Sequence, residues 1–551
     1  MIVCGVKLTH DGGIALVDDN RLVFSIEIEK LDNNTRHSSL MDLGVIFDVI
    51  REHGYDPFTV DQFAFDGWRD TGKTRHWDGV SARVELAPYR RGIRTFELFH
   101  SYQFRILDFH YTSYHHYAGH VASALCTAPF TQRGEDGYIL CWDGAMFPYL
   151  YHYSAAENQV RDLGPLFYMA GDTYHSMAMM YPPFTESAQW PYTLTVAGKV
   201  MAYVAHGISS PVAHKTLRSA YDRAYVEVFG DKPIPDDKVS DLAGRQMIDL
   251  MRSGLDVGQV GQVGTDDMLT SIHDFIGGFL VENLAKKVRA DGHRAPNICL
   301  VGGCALNIKW NRKIRESEIF TEVWVPPFPN DAGSAIGTAC CAIMRGPGPK
   351  AIDWDVYAGP AMLPAEPLDG WRSKKVSLDE LAGILYRAGE PVVFLHGRAE
   401  LGPRALGHRS ILAPATAPEM KDRLNEIKDR EPYRPVAPVC LEHRATQIFD
   451  PGTPDPYMLF DHDVREGWRD RVPAICHLDG TARIQTINSV QCPELVELLT
   501  AYERLSGIPL LCNTSANRKG RGFFPDVRSA MEWGRVPRIW STGILYEKNS
   551  E

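Results

Sequence analysis

One pattern occurs twice in this 551-residue chain and narrows its fold more than any other feature. Met1–Leu8 is apolar and β-prone. It is followed by His10-Asp11-Gly12-Gly13, a second apolar segment over Gly13–Val17, the turn-forming Asp18-Asp19-Asn20, and a third strand over Arg21–Glu29. The pattern returns at Tyr138–Trp142, a buried-type strand ended by Asp143-Gly144. Further β-prone segments follow at Tyr149–Tyr153 and, beyond Glu157-Asn158, near Val160. A chain that repeats strand, Asp-Gly corner, strand, turn and strand is built from two related lobes.

Such a duplication is the signature of the two-lobed class that contains actin, sugar kinases and Hsp70, in which the Asp-Gly corners of both halves face one phosphate-binding cleft. The expected fold is α/β, with a duplicated actin-like (ASKHA) domain. Asp267–Val288 carries Met268, Ile272, Phe275, Phe279 and Leu284 at helical spacing, with Thr265 as N-cap. Asn297–Val301 reads as a strand. Gly302-Gly303-Cys304-Ala305-Leu306-Asn307 reads as a turn into a helix, where a phosphate or ribose can approach the backbone. Arg345-Gly-Pro-Gly-Pro349 is the strongest breaker cluster. It divides the chain into residues 1–355 and 356–551, the second part opening with a helix over Leu378–Arg387 and a strand over Pro391–His396.

Composition limits the partners. The chain has 58 Lys plus Arg against 69 Asp plus Glu, a net charge of −11, which disfavours general binding of nucleic acid or of an anionic membrane. Its longest nearly apolar run, Ala332–Met344, is shorter than the ~20 residues a membrane helix needs. The 11 cysteines include no CxxC pair, and most stand in apolar stretches such as Ile139-Leu140-Cys141-Trp142. They read as reduced core thiols. With no signal peptide in MIVCGVKLTHDGG, the expected location is the cytoplasm.

Two constellations could carry chemistry. His116-Tyr117-Ala118-Gly119-His120 sets two imidazoles at i and i+4, on one face of a helix, a spacing that suits two ligands of one metal. The spacing alone is weak, since satisfied or surface histidines share it. Asp143 and Asp331 add weight, each at a strand-end or turn position, where turn formation is the competing explanation. Two histidines with two carboxylates suit iron, manganese or zinc. The second constellation is denser: Arg404, His408 and Arg409, then Lys421, Lys428, Arg430 and Arg434, then Thr481 and Arg483, then Asn513–Asn517. Arginine forks match phosphate oxygens bidentately and Lys adds a point charge. Surface ion pairs are the competing reading.

These residues carry a resemblance. GRAELGPRALGHRSIL at 397–412, MKDRLNEIKDREPYRPVAP at 420–438, HLDGTARIQT at 477–486 and NTSAN at 513–517 are its most specific pieces. HDGGIAL at 10–16, GKVMAYVAHG at 198–207 and GGCALN at 302–307 extend it. Over nearly its whole length the chain resembles the O-carbamoyltransferases of antibiotic tailoring and nodulation-factor synthesis. The resemblance implies an actin-like N-terminal domain related to the subunit that transfers threonylcarbamoyl groups to tRNA. It implies a YrdC-like α/β C-terminal domain similar to threonylcarbamoyl-adenylate synthase. The C-terminal domain would convert carbamoyl phosphate and ATP, with Mg2+, to carbamoyl-adenylate. The N-terminal domain would pass the carbamoyl group to a hydroxyl of a small natural product and release AMP. Arg404, Lys428, Arg434, Arg483, Ser515 and Asn517 match positions that hold carbamoyl phosphate and the nucleotide. Gly302, Gly303 and Asn307 match the turn that supports the adenylate. His116, His120, Asp143 and Asp331 match the ligands of a metal, commonly Fe2+. His10 is the candidate general base for the acceptor hydroxyl. Arg36, a second catalytic candidate, stands where many relatives carry Lys, and the family's EGK triplet is Ala197-Gly198-Lys199 here.

Other readings stay open at this stage: a tRNA- or protein-modifying carbamoyl-adenylate enzyme, an actin-like sugar kinase, or a non-catalytic binding protein. Absence of CxxC counts against the hydrogenase-maturation type, and the net charge of −11 against a tRNA enzyme. A kinase would leave the arginine-rich second part without a task. The acceptor pocket is expected among Trp77–Tyr102 and Phe147–Pro191. The second stretch holds Phe147, Tyr149, Tyr151, Tyr153, Tyr168, Tyr174, Phe184 and Trp190, for which core packing is the competing explanation. The expected partners are a small-molecule hydroxyl acceptor, no nucleic acid and no membrane, with a homodimer as the default assembly.

Overall fold

A computed structural model of the chain describes residues 1–551 except 94–96, 107, 186–191, 231–233, 235–238, 257–262, 293–294, 349 and 550–551. Trp190 and Pro349 therefore lie outside the described residues. The rest forms two compact units: Met1–Ser25 with Ser39–Trp354, and Ile26–Ser38 with Asp355–Glu551. A short excursion near the N-terminus thus belongs with the second unit, which a single division after residue 355 does not capture. The excursion reads as polar turn residues, Asp32-Asn33-Asn34-Thr35, with no apolar run to extend the first unit's sheet.

The first unit holds two sheets of one design. In the first sheet the strand order is Arg21–Glu27, Gly13–Asp18, Ile2–Lys7, Gln62–Asp66, Phe109–Tyr114, Ser101–Ile106. In the second it is Gln159–Pro165, Tyr149–Ser154, Gly137–Cys141, Asn297–Val301, Glu322–Trp324. In each sheet the first three strands in sequence form an antiparallel meander, and the leading strand then pairs in parallel with a fourth (Val3 opposite Gln62; Asn297 opposite Gly137). The duplication legible in the sequence is therefore a duplication of topology, and the unit is the expected two-lobed actin-like α/β fold. Central parallel strands are covered on both faces, and Gly137–Cys141 and Asn297–Val301 are buried throughout.

Two helices set the site. His116–Thr127 is buried along its whole length, and Ser334–Arg345 is buried except at its last residue. They approach closely because glycines meet: a Cβ on Gly337 would lie 2.0 Å from the carbonyl oxygen of Gly119. That contact brings the start of one helix beside the turn that precedes the other. The helix expected over 267–288 runs Thr265–Asp291. Its N-cap is Gly264 rather than Thr265, and Asp266 and Asp267 in the first turn face the positive end of the helix dipole. Phe147, Tyr149, Tyr151, Tyr153, Tyr174 and Phe184 are buried, so they pack the core.

The second unit is built on an eight-stranded mixed sheet, in the order Trp371–Lys375, Ile544–Lys548, Arg538–Ser541, Val392–Leu395, Arg409–Ala413, Leu510–Ser515, Ala437–Leu441, Gln485–Ile487. Leu378–Ala388 begins with a capping box between Ser377 and Glu380, a motif worth ~1 kcal/mol, and stops at left-handed Gly389. Register decides where the functional loops go. Ser410 pairs antiparallel with Ser515, Ala437 antiparallel with Asn513, and Val439 parallel with Gln485. The segments before 409, after 515, before 437 and before 485 consequently emerge at one end of the sheet. Those segments carry Arg404, Asn517, Arg434 and Arg483. All 11 cysteines are free thiols. Among the described residues, no helix is long and apolar enough to cross a membrane.

Candidate active sites in the two units

The cluster in the first unit is assembled from strand ends and helix starts. Lys7 and Asp66 close their strands, Asp143 follows Gly137–Cys141, and Asp331 opens the turn before Ser334–Arg345. His116 and His120 come from the start of the buried helix. Their Nε2 atoms lie 3.1 Å apart. Each is 3.5 Å from Asp331 Oδ1, and they are 3.9 and 4.0 Å from Asp143 Oδ2. One ligand atom from each of the four residues lies within 4.8 Å of the others.

This donor set calls for a cation. His116 Nδ1 lies 2.8 Å from Asp66 Oδ2; assigned as the N–H donor, it turns the Nε2 lone pair toward His120. Two ring nitrogens facing each other in a buried site repel unless a proton or metal lies between them. A carboxylate holding the far nitrogen is the usual support of a metal-bound histidine. The electrostatics agree. Burial disfavours an imidazolium at His116, yet Asp66 and Asp331 outweigh it and hold its pKa well above the ordinary value. Burial also opposes ionisation of Asp143 and Asp331. The neighbouring His116 and His120 overcome it at Asp143, and Lys7 with His116 overcomes it at Asp331, so both stay below the usual carboxylate range. Two imidazoles and two ionised carboxylates fit Fe2+, Mn2+ or Zn2+.

Sequence reasoning missed three members of this site. Lys7, fully buried, places Nζ 3.0 Å from Asp66 Oδ2, 3.0 Å from Asp331 Oδ2 and 4.5 Å from the Trp68 ring centre. Asp66 holds both Lys7 and His116. Tyr89 donates its hydroxyl proton to Asp143 Oδ2. A signal for Asp66 existed: Phe65-Asp66-Gly67 repeats the strand-end Asp-Gly of Trp142-Asp143-Gly144. The signal for Lys7 was a lone cation in an apolar strand.

His10 borders the cluster. Its Nδ1 lies 2.8 Å from Asp11 Oδ2, its Nε2 3.4 Å from Asp331 Oδ2, and its ring meets Trp68 edge-on. Gly302 and Gly303 form the corner behind Asp143. Gly302 has φ +89°, and a Cβ there would lie 2.3 Å from the carbonyl oxygen of Trp142. Gly303 N–H donates to Asp143 Oδ1 at 2.8 Å. The side chain of Asn307 accepts from Trp310 N–H at 3.2 Å and caps the helix Ile308–Glu316.

Arg36 belongs to the other unit of the chain. It lies in the excursion that belongs to the second unit, where its charge acts on Arg404, Lys428 and Arg434. The reason is that the chain leaves the first unit after Ser25 and rejoins it at Ser39.

The second unit gathers cations. Arg404, Arg430 and Arg483 each bury an Nε that has no hydrogen-bond partner. Burial pulls all three guanidinium pKa values down, and neighbouring arginines add to it; Arg483 comes down to about 10 and Arg430 to about 9. Half-buried guanidiniums that depress one another and leave donors unused form an anion site. Lys428 plays another part. Its ammonium donates to Ser515 O at 2.7 Å and to Asn517 O and Oδ1 at 2.6 and 2.5 Å. Ser515 Oγ donates to the same Oδ1 at 2.7 Å. Lys428, Ser515 and Asn517 thus brace one loop, beside which Arg430 donates to Thr514 Oγ1 at 3.3 Å.

Comparison with known proteins agrees along both units. Residues 2–340 match the family model described as carbamoyltransferase N-terminus, and residues 384–537 match carbamoyltransferase C-terminus. Nodulation protein U of Sinorhizobium fredii (strain NBRC 101917 / NGR234) is 44% identical over 582 residues, spanning 100% of this chain and 100% of that protein. Nodulation protein U of Rhizobium tropici is 46% identical over 565 residues, spanning 100% of this chain and 96% of that protein. The 3'-hydroxymethylcephem-O-carbamoyltransferase of Streptomyces clavuligerus is 32% identical over 546 residues, 97% of each chain. With both family models matched in order and relatives aligned end to end, the chain belongs to the carbamoyltransferase family.

Proposed function

We propose that this chain is an ATP-dependent O-carbamoyltransferase that carbamoylates a hydroxyl of a small natural product through carbamoyl-adenylate. The carrying observation is the pairing, in one chain, of a carboxylate-histidine cluster that demands a cation with an arginine cluster that demands an anion. The cephem relative supports the acceptor class, since its name specifies O-transfer to a hydroxymethyl group.

In this reading the second unit is the YrdC-like site. It takes carbamoyl phosphate, water and Mg2+-ATP. Water cleaves carbamoyl phosphate to phosphate and carbamate, and a carbamate oxygen attacks the α-phosphorus of ATP, displacing pyrophosphate and giving carbamoyl-adenylate. Arg404, Arg434 and Arg483 neutralise the phosphate oxygens, with Arg36 as a further guanidinium. Lys428 fixes the Ser515–Asn517 loop against the same anions. In the first unit His116, His120, Asp143 and Asp331 hold the metal, Fe2+ being our assignment. When bound there, the cation would supply Lewis-acid stabilisation for phosphate charge on a departing AMP. Gly302 and Gly303 shape the corner that would support the adenylate, Gly302 by fitting against Trp142 O. His10, with Nδ1–H given to Asp11, takes the acceptor's hydroxyl proton at Nε2 while the oxygen attacks the carbamoyl carbon and the bond to AMP breaks. Free thiols and dependence on ATP fit a cytoplasmic enzyme, and a homodimer is the assembly to test by light scattering.

Separating the half-reactions tests the proposal. His116→Ala and His120→Ala should leave pyrophosphate release from ATP and carbamoyl phosphate intact and abolish transfer to an acceptor alcohol with AMP release. Loss of both activities in folded variants, or of neither, contradicts the division of labour.

A further inference from the structure

The segment that joins the second unit from the N-terminal part of the chain carries a buried ion pair at the foot of the Arg404 loop. Lys30, 2% exposed, donates to Glu27 Oε1, Glu400 O and Gly402 O, each at 2.7 Å. Glu27 Oε1 also accepts from Gly402 N–H at 2.8 Å. All three ammonium protons and both backbone groups of Gly402 are thereby fixed. Gly402 sits at φ +80° and is followed by Pro403 and then Arg404, so little freedom remains before the guanidinium. Glu400 closes the loop from within: its carboxylate accepts from the N–H groups of Leu406 and Arg409. Tyr357 and Gln485 hold Leu406 O at 2.8 and 2.7 Å, and Asn513 holds Ala405 O at 3.1 Å. A buried Lys-Glu pair is poor evidence of stabilisation, because apolar replacement is often as good; fixing one geometry is its best-attested use.

We infer that Glu27 and Lys30 are positioning residues that set the register of Arg404 for carbamoyl phosphate, so that the first half-reaction depends on residues from the N-terminal excursion. The inference rests on the proposed assignment of Arg404 to that ligand. Among the described residues the buried Nε of Arg404 has no hydrogen-bond partner, so the loop's geometry bears directly on where the guanidinium lies.

The test uses full-length Lys30→Met, Glu27→Gln, Arg404→Lys and the Arg404→Lys/Lys30→Met double variant. It measures pyrophosphate release against carbamoyl phosphate and against ATP separately, with Tm for each protein. The expected result is a loss of about tenfold or more in kcat/KM for carbamoyl phosphate in Lys30→Met, as misplacement of a binding group predicts, with the KM for ATP within about twofold of wild type. The double variant should be no worse than Arg404→Lys within about twofold, because both changes act through one side chain. A lower Tm with unchanged kcat/KM, or losses that multiply in the double variant, would overturn the inference. If Lys30→Met does not fold, Glu27→Gln decides: it keeps an acceptor oxygen, and a loss of about threefold confined to carbamoyl phosphate supports the inference, while wild-type kinetics overturn it. Arg404→Lys with wild-type kinetics would overturn the assignment of Arg404, and the inference with it, a result distinct from failure of the Lys30 arm alone.

Discussion

Asp66 offers the sharpest test of the metal site, because it touches the proposed ligands without being one. Its Oδ2 takes the Nδ1–H of His116 at 2.8 Å and the Lys7 ammonium at 3.0 Å. Asn at this position has one acceptor oxygen and a new N–H2 group. Both contacts go to the one atom Oδ2, so an Asn oxygen there still accepts from both, but without charge; the N–H2 group takes the place of the buried, partnerless Oδ1, where an unsatisfied donor costs ~1–3 kcal/mol. His116 loses the carboxylate charge that fixes its tautomer, so the alternative form, with hydrogen on Nε2, gains population and points a proton where the metal belongs. Loss of such a support typically weakens metal binding ~10–100-fold, or ~1.4–2.8 kcal/mol. The assay is anaerobic titration of chelator-stripped Asp66→Asn with Fe2+ or Mn2+ against a competing indicator, beside wild type and Asp143→Asn. Pyrophosphate release from carbamoyl phosphate and ATP serves as the folding control and should be unchanged. Affinity within about twofold of wild type, while Asp143→Asn loses the metal, would refute the reasoning about Asp66 and the His116 tautomer.

Further expectations follow from single contacts. Gly302→Ala places a Cβ 2.3 Å from Trp142 O and 3.0 Å from Asp143 N; acceptor-dependent AMP release should fall by at least tenfold, with pyrophosphate release retained, read by quenched-flow chromatography. Lys428→Met removes three hydrogen bonds to the Ser515–Asn517 loop and should destabilise the protein by ~3 kcal/mol, about 1 kcal/mol for each bond lost, seen as a lower urea midpoint. His408 gives a pH dependence. Burial holds its folded pKa at about 4, against 6.5 in its absence, so below pH 6.5 the unfolded chain binds a proton that the folded chain refuses. Stability should therefore fall as pH drops from 6.5 toward 4, by an order of 3 kcal/mol over the full window. His408→Gln should flatten that slope in denaturation curves taken at pH 7 and pH 5.

The architecture was legible where local chemistry repeats. The strand, corner and turn pattern at residues 1–29 and again at 138–160 maps onto two sheets of the same order, because apolar runs ended by Asp-Gly or Asp-Asn fix both strand ends and connection. His116 and His120 were legible because helical spacing alone puts them on one face. Lys7 and Asp66 were not, since their roles depend on which strands become neighbours in the sheet, and a lone Lys in an apolar strand carries no such information. The same limit explains Arg36 and Lys30: that Ile26–Ser38 counts with the second unit is a long-range matter, invisible to spacing. The aromatics of 147–184 illustrate the converse, where a suggestive composition is the ordinary filling of a core.

The most direct test of the account needs no knowledge of the acceptor. Purified protein is incubated with ATP, Mg2+ and carbamoyl phosphate, and pyrophosphate is assayed beside a folded Arg483→Ala variant, with mass spectrometry for carbamoyl-adenylate. The account predicts pyrophosphate release that requires carbamoyl phosphate and is lost in the variant. Binding of neither ligand, or release that ignores carbamoyl phosphate or survives Arg483→Ala, would contradict it.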